Sequence, residues 1–178
     1  MTIAAESRAV APSPVRSALV LLAFLAISYA VAAVGGLATF GNVDGWYAEA
    51  DTASWTPPNA VFGPVWTVLY ALMSVAAWLV WHRRGVNPAA VRTALLAYVA
   101  QLVLNAVWTP VFFGLYPAVG APALWVALAI IAALDVMVLV TMLRFWPVRR
   151  VAAVLLIPYW AWVLYATTLN LALAALNS

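Results

Sequence analysis

Cysteine and lysine are both missing from these 178 residues, and only 7% of the chain is charged. Without cysteine there is no disulfide framework, no thiolate nucleophile, no cysteine-ligated zinc and no iron–sulfur cluster. The single histidine, His82, is flanked by Arg83 and Arg84. Metal ligands usually come several at a time, so no metal site is expected. The scarcity of charge excludes an ordinary soluble domain, in which about a quarter of residues are charged. Apolar residues make up 68% of the chain, more than a polar shell could cover, so most of that surface must face lipid. The net charge of +3 comes from eight scattered arginines that form no basic amphipathic helix. It reads as membrane topology, and nucleic acid is excluded as a partner.

Five apolar runs are present, at about 17–40, 58–81, 91–113, 122–143 and 151–173. Each is near the roughly 20 residues that cross about 30 Å of hydrocarbon. The first follows a polar start with Arg8 and Arg16, as a signal peptide would. Its apolar run is about twice a typical signal core, so it reads as a retained helix. The expected fold is therefore all-α, an integral membrane bundle of five transmembrane helices forming one domain over 1–178. Arg8 and Arg16 precede the first span, Arg83, Arg84 and Arg92 surround the second connection, and Arg144, Arg149 and Arg150 surround the fourth. The first connection instead holds Asp44, Glu49 and Asp51. Positive charge stays inside, which predicts the N-terminus inside and the C-terminus outside.

The first connection, 41–57, is the longest, and it combines those acids with Trp46, Tyr47 and Trp55. Long connections in compact domains are more often functional than short ones. At its end Thr56 reads as a helix N-cap with Pro57 at the first helical position.

The stretch Trp55-Thr56-Pro57-Pro58-Asn59, followed by Val61-Phe62-Gly63-Pro64-Val65-Trp66-Thr67-Val68-Leu69-Tyr70, resembles the signature of the translocator protein family, the tryptophan-rich sensory proteins. Two further blocks agree: Gln101-Leu102 with Leu104-Asn105, Trp108 and Phe112-Phe113-Gly114, and Pro158-Tyr159 with Trp162, Ala166-Thr167 and Leu169-Asn170. The resemblance implies a five-helix bundle, usually a homodimer, that binds porphyrins such as protoporphyrin IX within the bundle. It implies a receptor or sensor role with no resident cofactor, with transport of tetrapyrroles and their light-dependent breakdown also proposed for such proteins. The cholesterol motif of some members needs a basic residue after a tyrosine, and none follows Tyr159 or Tyr165.

The residues themselves point to a site. Gln101, Asn105 and Trp108 fall at i, i+4 and i+7 on one face of the third span. Amides in hydrocarbon need partners, so this face should turn inward, with interhelical hydrogen bonding as the plainer role and ligand orientation as the functional one. On the fifth span Pro158, Trp162, Tyr165, Ala166 and Asn170 share a face, while Trp160 points away and is expected to face lipid. Trp66 and Tyr70 stack at i and i+4 on the second. Trp66, Asn105 and Ala166 each lie about 12 Å below the outer surface, at one level beneath the acidic connection. Trp46, Trp55, Pro57, Pro58 and Asn59 form a rim or lid over it, and helix N–H groups near Thr56 to Asn59 offer positive dipole character there. Prolines 64, 110 and 158 are expected to kink their helices. An aromatic pocket with a few fixed polar groups suits a flat, conjugated, apolar ligand.

Asp135 is the one acid inside a span, and an ion pair with Arg92 or Arg149 is its expected state, a proton relay the alternative. A proton-coupled transporter would want several such groups. No paired carboxylates or nucleophile–base pair appears, so the chain is not expected to be an enzyme, photo-oxidation of a bound porphyrin being the alternative. The expected partners are a porphyrin or similar flat molecule, membrane lipid and a second copy of the chain.

Overall fold

A computed structural model describes residues 12–178. Arg8, one of the arginines used for topology, lies outside them. Helix α1 (Pro14–Thr39) leads to a short α2 (Trp46–Glu49), then α3 (Asn59–Trp81) and α4 (Pro88–Thr109), which ends in a π turn over Pro110–Gly114. The four-residue α5 (Tyr116–Val119), α6 (Ala121–Phe145), α7 (Arg150–Leu155) and α8 (Ile157–Leu176) complete the chain. Among the described residues there is no strand. Five stretches are long and apolar enough to cross a membrane: α1, α3, α4 with its π turn, α6, and α7 continued by α8. The fold is the all-α, five-span membrane bundle the sequence predicts.

The helix starts follow local chemistry. Ser13 caps α1 by accepting from the Arg16 N–H at 3.3 Å, and Asn87 caps α4 by accepting from the Ala90 N–H at 3.1 Å. Each cap is followed by a proline at the first helical position, so the spans begin at Pro14 and Pro88 rather than at 17 and 91. The second span differs from expectation, because α3 starts at Asn59 with Pro58 as its extended cap residue (φ −55°, ψ 142°). A residue before proline is pushed out of the helical region. Pro57 precedes Pro58 and Thr56 precedes Pro57, so Thr56 cannot serve as the cap.

The prolines act in three ways. Pro64 is carried inside α3. Pro110 opens the π turn, where the Leu115 N–H reaches back to its carbonyl at 3.1 Å. Pro158 sits just past the break at Leu156 that divides the fifth span into α7 and α8.

Around the bundle, α1 touches α3 and α4, α4 touches α6, and α6 touches α7 and α8. The ring closes where α3 packs on α7. The α3 helix meets the fifth span chiefly through that N-terminal segment, while α8 lies against α6. The most enclosed helix is α6, which buries Leu124, Ala127, Ile131, Leu134, Val138 and Phe145 at spacings of three, four and seven. By contrast α1 buries only Ser28 and sits on the perimeter.

Most polar side chains inside the bundle find one another, as hydrocarbon favours, Asp135 Oδ1 and Trp162 Nε1 being the exceptions. Ser28 stands 3.0 Å from the Tyr98 hydroxyl, and Ser74 donates to Ser28 at 3.0 Å, joining α1, α3 and α4. Two expectations are corrected here. Asp135 pairs with no arginine: its Oδ2 accepts from the Thr167 hydroxyl of α8 at 2.7 Å. It points sideways into the α6–α8 contact, in mid-span, whereas Arg92 and Arg149 sit at the helix ends. Trp160 does not simply face lipid, because it is half-buried and its Nε1 donates to the Asp135 carbonyl at 3.2 Å. Since α8 leans on α6, the flank carrying Trp160 is covered as well as the flank carrying Trp162.

Candidate functional site

Two aromatic ladders face each other across the contact between α3 and α8. On α3, Phe62, Trp66 and Tyr70 recur every fourth residue, which places them on one side of the helix. Tyr159, Trp162 and Tyr165 supply the opposing rings from α8. Trp66 stacks on Tyr70 with centroids 5.4 Å apart and meets the edge of Tyr159 at 6.2 Å. Nearer the rim, Phe62 meets Trp162 edge-on at 5.8 Å, and Trp162 lies 5.6 Å from Tyr165. Both indoles are half-buried. The Nε1 of Trp162 is buried and has no acceptor among the described residues. Indole nitrogen is a donor only, so this group asks for an acceptor from elsewhere.

Behind the rings the bundle is closed by a hydrogen-bonded knot. Tyr70 donates to Asn105 Oδ1 at 2.6 Å, Asn105 Nδ2 donates to the Tyr159 hydroxyl at 3.2 Å, and that hydroxyl donates to Gln101 Oε1 at 2.8 Å. All four residues are at most 5% exposed. The amides of Gln101 and Asn105 are therefore committed to the scaffold, which is the plainer of the two roles the sequence offers. Trp108 belongs to a separate pair higher in the bundle: its Nε1 donates to Asn170 Oδ1 at 3.2 Å, and Asn170 Nδ2 donates to the Leu124 carbonyl at 3.0 Å. Ala166 is buried one turn beyond Trp162, whereas Pro158 is exposed at the α7–α8 break.

The first connection roofs this end and is tied down at both sides. Trp46 of α2 stacks on Tyr116 at 3.9 Å and donates to the Phe113 carbonyl at 3.1 Å, fixing the loop to the π turn. The Trp55 carbonyl accepts from the Tyr165 hydroxyl at 2.6 Å, although the Trp55 ring is exposed. Asn177 exchanges hydrogen bonds with the backbone of Asp51 at 3.0 and 2.9 Å. Between roof and α3 lies a concavity of about 380 Å³, lined by Tyr47, Thr56, Pro57, Pro58 and Asn59 among others. Burial pushes the Tyr47 hydroxyl's pKa above its ordinary value, so it stays a neutral phenol at that rim.

The structure thus brings together Trp66, Tyr70, Trp162 and Tyr165, the last bonded to the Trp55 carbonyl beside Pro57, Pro58 and Asn59, and sets Trp46, Trp108, Asn170 and Pro158 apart. Sequence reasoning missed Phe62 and Tyr159 as members of the site. The signal for Tyr159 was available: two buried amides in hydrocarbon need a hydroxyl partner on a facing helix.

Residues 24–176 match the model of the TspO/MBR family. The chain is 36% identical over 159 residues to tryptophan-rich protein TspO of Archaeoglobus fulgidus, covering 89% of this chain and 94% of that one. It is 39% identical over 150 residues to the tryptophan-rich sensory protein of Cereibacter sphaeroides, covering 83% and 88%. With the human translocator protein it shares 36% identity over 137 residues, 77% of this chain and 78% of that one. Five membrane-crossing helices and these matches together make it a multi-pass membrane protein that belongs to the TspO/MBR family.

Proposed function

We propose that this protein is a receptor or sensor of the membrane that holds tetrapyrroles such as protoporphyrin IX, and other flat apolar molecules, in the aromatic groove between α3 and α8. The observation that carries this reading is the buried, unpartnered Trp162 Nε1 set among Phe62, Trp66, Tyr159 and Tyr165. Indole faces suit a conjugated ring, and one oriented donor suits an acceptor on its edge. The carboxylate end of a porphyrin belongs toward the rim concavity, where the N–H groups that open α3 at Asn59 supply positive dipole character against Asp44, Glu49 and Asp51 of the same loop. Binding and handing on the pigment, as a homodimer, is the role this arrangement serves.

The test is a titration of purified protein with protoporphyrin IX, followed by tryptophan fluorescence. Trp66→Ala and Trp162→Ala should each weaken binding by about 1–3 kcal/mol, on the scale of base–aromatic stacking. Trp125→Ala is the control, an exposed indole on α6 at the same end of the bundle. An equal loss in the control, or no saturable binding by the wild type, removes the groove as the site.

A further inference from the structure

The opposite end of the bundle carries a second concavity. The α3–α4 and α6–α7 connections meet there, and Arg83, Arg149 and Arg150 line a surface cavity of about 600 Å³ with Trp146 and Val151. Three arginines, one from the α3–α4 connection and two from the junction of α6 with α7, therefore line one space. Their neighbour Arg84 is already engaged: it lies 3.4 Å over the Trp81 ring and donates to the Trp81 carbonyl at 3.1 Å. No carboxylate among the described residues is placed to neutralise the three. Asp44, Glu49 and Asp51 are in the first connection at the far end, and Asp135 is held by Thr167 within the span.

The surroundings say what kind of anion fits. Trp146 is 51% exposed and lies 5.8 Å from the Arg150 guanidinium, the position of an indole at a lipid–water boundary. Directly toward the hydrocarbon, Leu143 of α6 and Val151 and Val154 of α7 are exposed apolar side chains. A charged cup above a greasy flank fits an anionic head joined to acyl chains better than a free anion. Guanidinium forks match phosphate oxygens in pairs, and basic pockets between transmembrane helices are a known way of holding anionic head groups. We infer that the cup formed by Arg83, Arg149, Arg150 and Trp146 binds the phosphate of an anionic phospholipid, with its acyl chains lying along Leu143, Val151 and Val154. This site is separate from the aromatic groove and does not rest on it.

The experiment uses the full chain in a neutral detergent, with lipid binding read by native mass spectrometry and by thermal midpoint. Phosphatidylglycerol, phosphatidylcholine of the same chain length and inorganic phosphate are titrated in separate arms. Each arginine near an anionic lipid is worth roughly fivefold in affinity. The variant R149Q/R150Q should thus lose about 25-fold for phosphatidylglycerol, and R83Q, on the other connection, about fivefold. Arg92→Gln, at the same end of the bundle but outside the cup, should bind as the wild type does. Equal binding of phosphatidylcholine to the wild type, or equal loss in Arg92→Gln, overturns the site. If inorganic phosphate displaces phosphatidylglycerol at comparable concentration, the cup is a soluble-anion site and the lipid assignment fails. R83Q keeps the test decisive should the double variant not fold.

Discussion

Replacing Tyr159 by phenylalanine removes one oxygen from a fully buried ring and tests whether the knot holds the bundle together. Two groups lose their partner, Gln101 Oε1 and Asn105 Nδ2. In a soluble core each orphaned group costs about 1–3 kcal/mol, which would sum to roughly 2–6 kcal/mol. Hydrogen bonds between membrane helices are worth less, near 0.6 kcal/mol on average and about 1.7 at most, because unpacked helices in lipid also find partners. The membrane scale governs here, so two lost bonds should cost about 1–3 kcal/mol. Tyr70→Phe loses one bond, to Asn105 Oδ1, and should cost about half as much. The assay is reversible unfolding in mixed micelles of mild and denaturing detergent, read by circular dichroism. In Gln101→Leu/Tyr159→Phe both partners of one bond are replaced together, so the double loss should be smaller than the sum of the singles. Single losses below about 0.3 kcal/mol, or strict additivity, would refute the knot as a stabilising unit. Porphyrin affinity should move less than stability, since the amides already have protein partners.

Topology is testable in a chain without native cysteine: Ala48→Cys and Val86→Cys are both exposed, and a membrane-impermeant thiol reagent added outside should label the first and not the second. Gly45 is a poor choice for the label, because a Cβ there would stand 2.8 Å from the Gly41 carbonyl oxygen. Ala166→Phe inserts a ring beside Trp162 at a buried position and should hinder porphyrin binding, with overpacking costing about 1–3 kcal/mol. Ala161→Phe, exposed on the same helix, should change neither, and unchanged affinity in Ala166→Phe would remove that part of α8 from the site. His82 stands 2.9 Å from the Ser17 hydroxyl, and burial together with the nearby Arg84 holds its pKa below the ordinary histidine value. The unfolded chain then takes up the proton more readily, so this contribution is present above about pH 6.5 and is lost as the pH falls. The melting temperature should drop between about pH 7.5 and 5.5, and His82→Gln should flatten that slope; an unchanged slope would place the titrating group elsewhere.

The fold was legible because hydrocarbon leaves few choices: five apolar runs, short connections and arginines at alternate connections permit little besides a five-helix bundle. Where boundaries went wrong, the rule was sound and its competitor was overlooked. A polar cap followed by proline marks the true starts at Ser13–Pro14 and Asn87–Pro88, yet at Thr56–Pro57 a second proline vetoes it. The aromatic side of the site was readable from helical spacing within each span. What spacing could not supply was the pairing between spans. Whether Gln101 and Asn105 face a ligand or Tyr159 depends on the tilt of α8, and that tilt is set by the break at Leu156 and by the contact with α6. Asp135 and Trp160 were misplaced for the same reason, since both belong to that contact.

The π turn at Pro110–Gly114 gives the roof a phase. A helix that closes one ring with an i to i+5 bond carries one residue more per turn than its α-helical surroundings. Everything beyond it is rotated relative to the regular helix by about 100°. That rotation decides which carbonyl meets the Trp46 indole, here that of Phe113, and where Tyr116 presents its ring for stacking. The span therefore works as an indexed shaft, with the part before the π turn keyed to the knot through Gln101 and Asn105 and the part after it keyed to the loop. Deleting one residue within 110–114 would restore regular α winding and leave the key before the turn untouched. It would turn the key after the turn out of register, so the roof would come free of a bundle that is otherwise intact.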